Sequence, residues 1–537
     1  MGQFFMGVDV GTASARAGVF DASGTLLGTA KRDVTVYHAP GGIVEESSDE
    51  IWTAVCAATR EAIAKAGVDP AEIAGIGFDA TCSLVVLGEG GVPLPVGPSE
   101  DPDRNIIVWM DHRAIEQAER INGMGHRVLD YVGGRISPEM ETPKLLWLKE
   151  NRPETFASAW RFFDLTDYLT WRATGSEARS ICTVTCKWTY MGHERNWDES
   201  YFRKIGLDAL ADEGFARIGT DVVDPGTPLG EGLTKAAATD LGLVPGTAVA
   251  AGLIDAHAGG VGTVGAKGGG GPQDNLAYVF GTSSCTMTTT SEPVFVPGVW
   301  GPYYSAMIPG AWLNEGGQSA AGAAIDQLLQ FHPAAADAAE AAGAQGMSLP
   351  AWLARRAVEL AGSSEAAARL ADGKHVVPEF IGNRAPHADP YTRAVVAGLG
   401  METDVDDLVS LYVAGICGLG YGLRQIIETQ ANKGASIKTI VISGGAGRSD
   451  LVRQLLADAT GVPVAAPATE EPVLLGSAIL GAQATGAFGT MSEAMAAMSS
   501  TAARYEPAAG EARDWHARRF DLFERFQALA REAAVRS

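Results

Sequence analysis

Three short stretches, far apart in the chain, carry the backbone and side chains that phosphate binding requires. Asp9-Val10-Gly11-Thr12-Ala13-Ser14 joins a carboxylate to a glycine and two hydroxyls. Gly281-Thr282-Ser283-Ser284 repeats the glycine and hydroxyls in the second half of the sequence. Gly444-Gly445-Ala446-Gly447-Arg448-Ser449 follows a β-branched run and precedes a helical pattern, a setting in which a flat base can lie against glycine backbone. Phosphate sites form where a tight turn aims several N–H groups at one oxygen cluster, with hydroxyls beside them. Gly11, Thr12 and Ser14 supply those parts, and Asp9 can hold Mg²⁺ directly or through water. Taken singly, each stretch also fits an ordinary turn. Their occurrence together, in this order, is the informative observation.

A fourth stretch sets a carboxylate at the start of a helix. Asp255, in Gly252-Leu253-Ile254-Asp255-Ala256-His257, follows the apolar run 248–254 and opens a helix of small residues. The helix dipole favours a charged carboxylate there, so the sequence predicts an ionised, low-pKa Asp255. Such a group is a weak base for an alcohol. Standing alone, Asp255 would read as a simple N-cap. His257 reads as a packed structural imidazole. Cys182 and Cys186 form one C-x3-C pair among six scattered cysteines, which reads as buried reduced thiols, with a zinc site as the alternative.

These residues need a framework, and the pattern around them is mixed α/β. Residues 4–10, 16–20 and 25–34 alternate as consecutive strands with turn chemistry at Asp21-Ala22-Ser23-Gly24. Ser47 and Glu50 form a capping box ahead of a helix that Gly67 closes. A strand over 73–78 runs into Asp79-Ala80-Thr81-Cys82-Ser83. Strands over 275–280 and 285–290 flank the second glycine-hydroxyl turn, and 437–443 delivers the glycine cluster. The run Gly268–Gly271 reads as a connector. At 537 residues the chain exceeds one ordinary core, so two domains are expected. A formal charge of −23 argues against nucleic acid or an anionic membrane as partner. No apolar run reaches the length of a membrane span, and the N-terminus lacks secretory-signal features, so a cytoplasmic enzyme is expected.

In the order of these motifs, over roughly residues 4 to 490, the chain resembles the FGGY carbohydrate kinases. Lys144-Leu145-Leu146-Trp147-Leu148 resembles part of that family's first signature region, while 139–143 fits it only loosely. The resemblance implies two ribonuclease H-like domains of the actin and sugar-kinase superfamily, with an ATP and sugar cleft between them. The implied divisions are 1–267 for the sugar and the first phosphate hairpin, 268–490 for ATP, and 491–537 as a helical extension. It implies that Asp9 to Ser14 and Gly281 to Ser283 meet the phosphates, with Gly322, Gly444, Gly445, Ala446 and Ser449 around the rest of the nucleotide. It further implies ATP with Mg²⁺, a homodimer, and Asp255 as the catalytic base toward the attacking hydroxyl.

Four segments between these motifs are candidates for the sugar: Asp79-Ala80-Thr81-Cys82, Trp109-Met110-Asp111-His112-Arg113, Lys187, and Glu315 at the head of an expected helix. Thr81-Cys82-Ser83-Leu84-Val85 looks like the variant found in D-ribulose kinases, and Lys187 and Glu315 resemble sugar-contacting positions of ribulokinases. Lys187 as an ion-pair partner and Glu315 as a first-turn helix acid remain open. The expected reaction is phosphorylation of a ketopentose, D-ribulose first, with L-ribulose, D-xylulose, ribitol or another polyol as alternatives. An actin-like nucleotide switch is the reading outside catalysis.

Overall fold

A computed structural model describes residues 3–534 apart from Gly268 and Pro297, with the side chain of Ala446 also outside that description. The first residue of the expected connector, Gly268, therefore lies outside the described residues.

The first sheet contains β1 (Phe4–Gly11), β2 (Ser14–Phe20), β3 (Leu26–Asp33), β4 (Ile73–Ala80), β5 (Ala248–Val249) and β6 (Leu253–Ile254). Its order is β5-β4-β1-β2-β3, with β6 also on β4. β1 and β2 are antiparallel, whereas β4 and β6 run parallel to β1. The second sheet repeats this plan. It is built from β7 (Asn275–Phe280), β8 (Ser284–Thr290), β9 (Trp300–Tyr304), β10 (Trp312–Gln318), β11 (Thr439–Ser443), β12 (Val464–Pro467) and β13 (Thr501–Tyr505), in the order β9-β10-β8-β7-β11-β12-β13. In both sheets an antiparallel hairpin leads the chain and a parallel strand flanks its first member. The apolar run 248–254, expected as one strand, is two short ones interrupted before Gly252.

The helices that matter to the site are α1 (Ser48–Ala66), α2 (Ile181–Lys187), α3 (Asp255–Val264), α4 (Gly322–Gln330), α5 (Asp450–Thr460), α6 (Pro472–Ala484) and α7 (Gly510–Ala533). α1 begins with half of the expected capping box: Ser47 accepts from the Glu50 N–H, while the Glu50 carboxylate accepts from Thr35 instead, and Gly67 closes the helix in the left-handed region. β1 buries Phe5, Met6, Val8 and Val10, so the sheet is covered on both faces. α6 covers one of them through backbone contact. A Cβ on Gly7 would overlap the Leu474 carbonyl, and one on Gly77 the Ser477 carbonyl. α6 also crosses α3 at the same close range, where Gly476 meets the Ala258 carbonyl. The helix that begins with Asp255 thus packs on α6, an element from the far end of the chain that itself lies on the first sheet.

The segment 491–537 departs from its expected form. β13 within it pairs antiparallel with β12, so the second sheet extends into this region between a helix over Met491–Met498 and the terminal α7. α7 buries Trp515, Phe520 and Phe523 against the second core, as its apolar stripe predicts. No helix among the described residues is long and apolar enough to cross a membrane.

Candidate active site

Strand register brings three carboxylates together. On the parallel pair β1 and β4, Asp9 lies opposite Asp79. On β4 and β6, Leu253 lies opposite Asp79, and Asp255 follows directly after β6. All three acids therefore stand at the same ends of adjacent strands. Arg16, across the β1–β2 hairpin from Asp9, forms an ion pair with it and reaches Glu471 Oε2 at 2.9 Å. Ser477 Oγ donates to Asp79 Oδ2, while Asp79 Oδ1 is buried without a partner among the described residues.

Two expectations change here. Asp79, expected at the sugar, instead belongs with Asp9, because parallel register fixes it there. Asp255, expected to be strongly ionised at its helix terminus, has a pKa raised to about 7. Burial is the main cause and the neighbouring Asp9 charge adds to it, outweighing the 2.7 Å hydrogen bond from the Ala256 N–H. Burial, followed by the Asp9 charge, likewise raises Asp79 well above the usual carboxylate range.

A cavity of about 670 Å³ opens over this group, lined by Asp9, Gly11, Arg16, Asp255, Gly444 and Glu471 among others. A second, of about 810 Å³, is walled by Phe280, Ile325, Ala354 and Tyr412 and includes Gly322, Gly445, Arg448 and Ser449. Gly445 and Arg448 line both. The pair suits a ligand with a flat apolar end and a polyanionic end. Gly444 sits at φ 92°, where a Cβ would come within 2.5 Å of the Phe280 carbonyl, so glycine is required at this strand exit. Ala446 keeps its backbone in the turn Gly445–Arg448, and its side chain lies outside the described residues. Ser449 stands at the N-cap of α5 without a side-chain cap bond.

Both hairpin tips are braced. In the first, which pairs Gly11 with Ser14, Thr12 Oγ1 accepts from Trp109 Nε1 at 3.0 Å, and the Thr81 N–H donates to the Val10 carbonyl at 3.0 Å. In the second, the Gly281 N–H donates to the Ser283 carbonyl at 2.9 Å, and Thr282 and Gly281 carbonyls receive the N–H groups of Ala321 and Gly322. That contact ties the tip to the start of α4.

The expected sugar residues separate into two groups. Lys187, at the end of α2, is 6% exposed and 4.9 Å from the Trp300 ring centroid. Cys82, Glu315 and Tyr303 lie close enough for their charge states to raise its pKa, against burial, which lowers it. Glu315 is held ionised below its ordinary range: burial pushes it up, but Lys187, His257 and Arg384 outweigh that. Glu315 lies within β10 rather than at a helix start, and Cys285 Sγ donates to its Oε1 at 3.5 Å. Glu315 Oε2, His257 Nε2, Tyr303 Oη and Thr185 Oγ1 are buried with no hydrogen-bond partner among the described residues. Of these, His257 Nε2 and Glu315 Oε2 lie 3.8 Å apart, and buried polar atoms without partners are uncommon in a packed core.

Asp111 does not join this group. Its carboxylate accepts from the Val44 N–H at 2.6 Å, from the Arg113 N–H and Nε at 2.8 and 2.9 Å, and from Arg113 Nη2 at 2.7 Å. That uses its acceptor capacity, so Asp111 holds the loop instead. Thr81 Oγ1 is engaged by Ser83 Oγ at 3.1 Å. Arg16, Tyr303, Arg384 and His257 are neighbours of these charged groups that the sequence reading did not place there. Only Arg16 carried a usable signal, since counting back from the hairpin tip sets it opposite Asp9. Cys182 and Cys186 meet a third group the spacing could not reveal: with His257, their ligand atoms all lie within 4.8 Å of one another. Cys182 Sγ and His257 Nδ1, 3.3 Å apart, satisfy each other without an ion.

Similarity to known proteins agrees with this geometry. The N-terminal domain model of the FGGY family of carbohydrate kinases matches residues 4–262, and its C-terminal domain model matches 276–485. The chain belongs to the FGGY family of carbohydrate kinases. It is a sugar kinase, acting on ATP and a small-molecule sugar. A human FGGY carbohydrate kinase domain-containing protein is 45% identical over 93% of this chain and 91% of its own length. A D-ribulokinase of Saccharomyces cerevisiae is 39% identical over 90% of this chain and 72% of its own. Among solved structures, xylulose kinase from Rhodospirillum rubrum superposes with a TM-score of 0.78 at 21% identity, covering 98% of this chain and 99% of that one. The fold is accordingly that of the two-domain sugar kinases.

Proposed function

We propose that this kinase phosphorylates a ketopentose, converting D-ribulose to D-ribulose 5-phosphate. The observation that carries the reading is the buried Lys187–Glu315 group with its unpaired polar atoms, near Asp255 and the phosphate end of the nucleotide cavity. The choice of D-ribulose rests on the Thr81–Val85 segment and on likeness to the yeast D-ribulokinase over most of the chain.

In this reading the sugar's terminal hydroxyl faces Asp255, which takes its proton as the new O–P bond forms and the bond from the γ-phosphorus to ADP breaks. A carboxylate with a pKa near 7 is better matched to that task than the strongly ionised one its helix position suggests. Asp9 and Asp79 would hold Mg²⁺: they are adjacent oxygen donors, and Asp79 Oδ1 has a free lone pair in a buried setting. The ion would neutralise charge on the transferring phosphate. Arg16, now paired with Asp9, adds a cation beside the same cavity. Gly11, Thr12, Ser14, Thr282 and Ser283 donate from the two hairpin tips, Gly281 lets the second tip come close, and the wall from Phe280 to Ser449 takes the base.

Phosphorus NMR of the reaction with D-ribulose and Mg²⁺-ATP is expected to give one monoester signal, split as a triplet by the two C5 protons. A doublet from a secondary carbon, or ATP consumed without an ester, would contradict the proposal.

A further inference from the structure

His257 is 1% exposed, two positions after Asp255 on α3, and packing alone leaves one of its polar atoms unexplained. Nδ1 is engaged by Cys182 Sγ at 3.3 Å, and that sulfur also receives the Ile254 N–H at 3.5 Å. Nε2 has no partner. It lies 3.8 Å from Glu315 Oε2, which has none either. Two buried polar atoms too far apart to bond each other, and each unsatisfied, call for a group that bonds both. A hydroxyl fits. Its oxygen, about 2.8 Å from each atom, accepts from Nε2–H while its proton goes to the carboxylate. A carbonyl or ether oxygen would leave Glu315 unpaired.

We propose that His257 Nε2 and Glu315 Oε2 together bind one hydroxyl of the sugar, and that Cys182 is a positioning residue that fixes the imidazole through Nδ1. The inference rests on the sugar-kinase pocket described above and adds two residues to it. Holding Nδ1 leaves Nε2 as the nitrogen presented to the ligand, as imidazoles bound at one nitrogen generally do with the other. His257 belongs to the helix that begins with Asp255, so the same element orients the hydroxyl bound here and the base that serves the reacting one. Discrimination between sugars follows, because a site built to bond a hydroxyl rejects an analogue that lacks it far more strongly than an apolar wall would.

The test uses the full chain as wild type, H257L, H257Q, C182A and C182S, assayed with D-ribulose and a set of its monodeoxy analogues. H257L is expected to raise the sugar KM about 10- to 100-fold with the ATP KM unchanged, the usual range for losing a hydrogen bond to a charged or buried partner. H257Q, whose amide N–H reaches the same place, should recover most of the loss. One deoxy sugar should be poor for wild type, and H257L should discriminate against it far less, the remainder being the bond to Glu315. C182A should show a smaller loss of the same kind, partly restored in C182S. The proposal is overturned if H257L keeps full discrimination against every deoxy sugar, or if H257L and H257Q lose equally on both substrates. Should H257L not fold, the same discrimination read on H257Q and C182A decides it. Wild type inert toward every ketopentose would defeat the substrate reading, whereas active wild type matched by H257L would defeat this inference alone.

Discussion

Asp255→Asn is expected to lower kcat about 10²- to 10⁴-fold while leaving both KM values within a few-fold of wild type. The substitution preserves shape and removes only the capacity to take a proton. ADP release at saturating sugar and ATP measures it, and near-normal turnover would contradict the assignment. The raised pKa gives the same residue a pH signature. Because the free enzyme's carboxyl titrates at about 7, kcat/KM should fall about tenfold per unit below that pH and level off above it. The folding consequence has the opposite slope. The folded state retains a proton that the unfolded chain has lost between about 3.8 and about 7, so ionising Asp255 weakens the fold as pH rises through that window. The Asn variant should lack that decline in a urea titration series.

Lys187→Met and Glu315→Gln should each lower kcat/KM for the sugar about 10²- to 10³-fold, with the ATP KM little changed. Each change leaves the other member of a buried charge group without its counterpart, the costly case for interior ions. The double variant should therefore lose less than the two single losses combined. Both residues lie away from the nucleotide walls, which is why the two KM values separate. Sugar kinetics untouched in both variants would mean that the pocket lies elsewhere.

Local chemistry was legible in the sequence wherever a few adjacent residues decide the outcome. The glycine-hydroxyl tips, the Ser47 cap, the Gly67 terminus and the start of α3 at Asp255 follow from side-chain type and spacing alone. What failed depends on neighbours distant in the chain. Asp79 follows a strand, as a sugar loop might, but parallel pairing with β1 sets it beside Asp9. Asp111 has Arg113 two residues away, and the structure spends the carboxylate on that arginine and on the Val44 N–H. Glu315, expected at the head of a helix, lies in β10 beside Gly316 and Gly317. In the structure Gly317 has φ 140° close against the Ser284 carbonyl, so these glycines let two strands approach. The helix dipole suggested an acidic Asp255, while burial and Asp9, both tertiary effects, move it the other way. The meeting of Cys182 with His257 spans 75 residues and leaves no mark in either segment.

Comparing kcat/KM for D-ribulose, L-ribulose, D-xylulose, ribitol, L-fuculose and glycerol with Mg²⁺-ATP tests the central claim most directly. D-ribulose is expected to exceed every other acceptor by at least about tenfold, the discrimination that one well-bonded hydroxyl supplies. A ketopentose of different configuration, or a polyol, turned over faster than D-ribulose would contradict the substrate and the reading of Thr81 to Val85 with it.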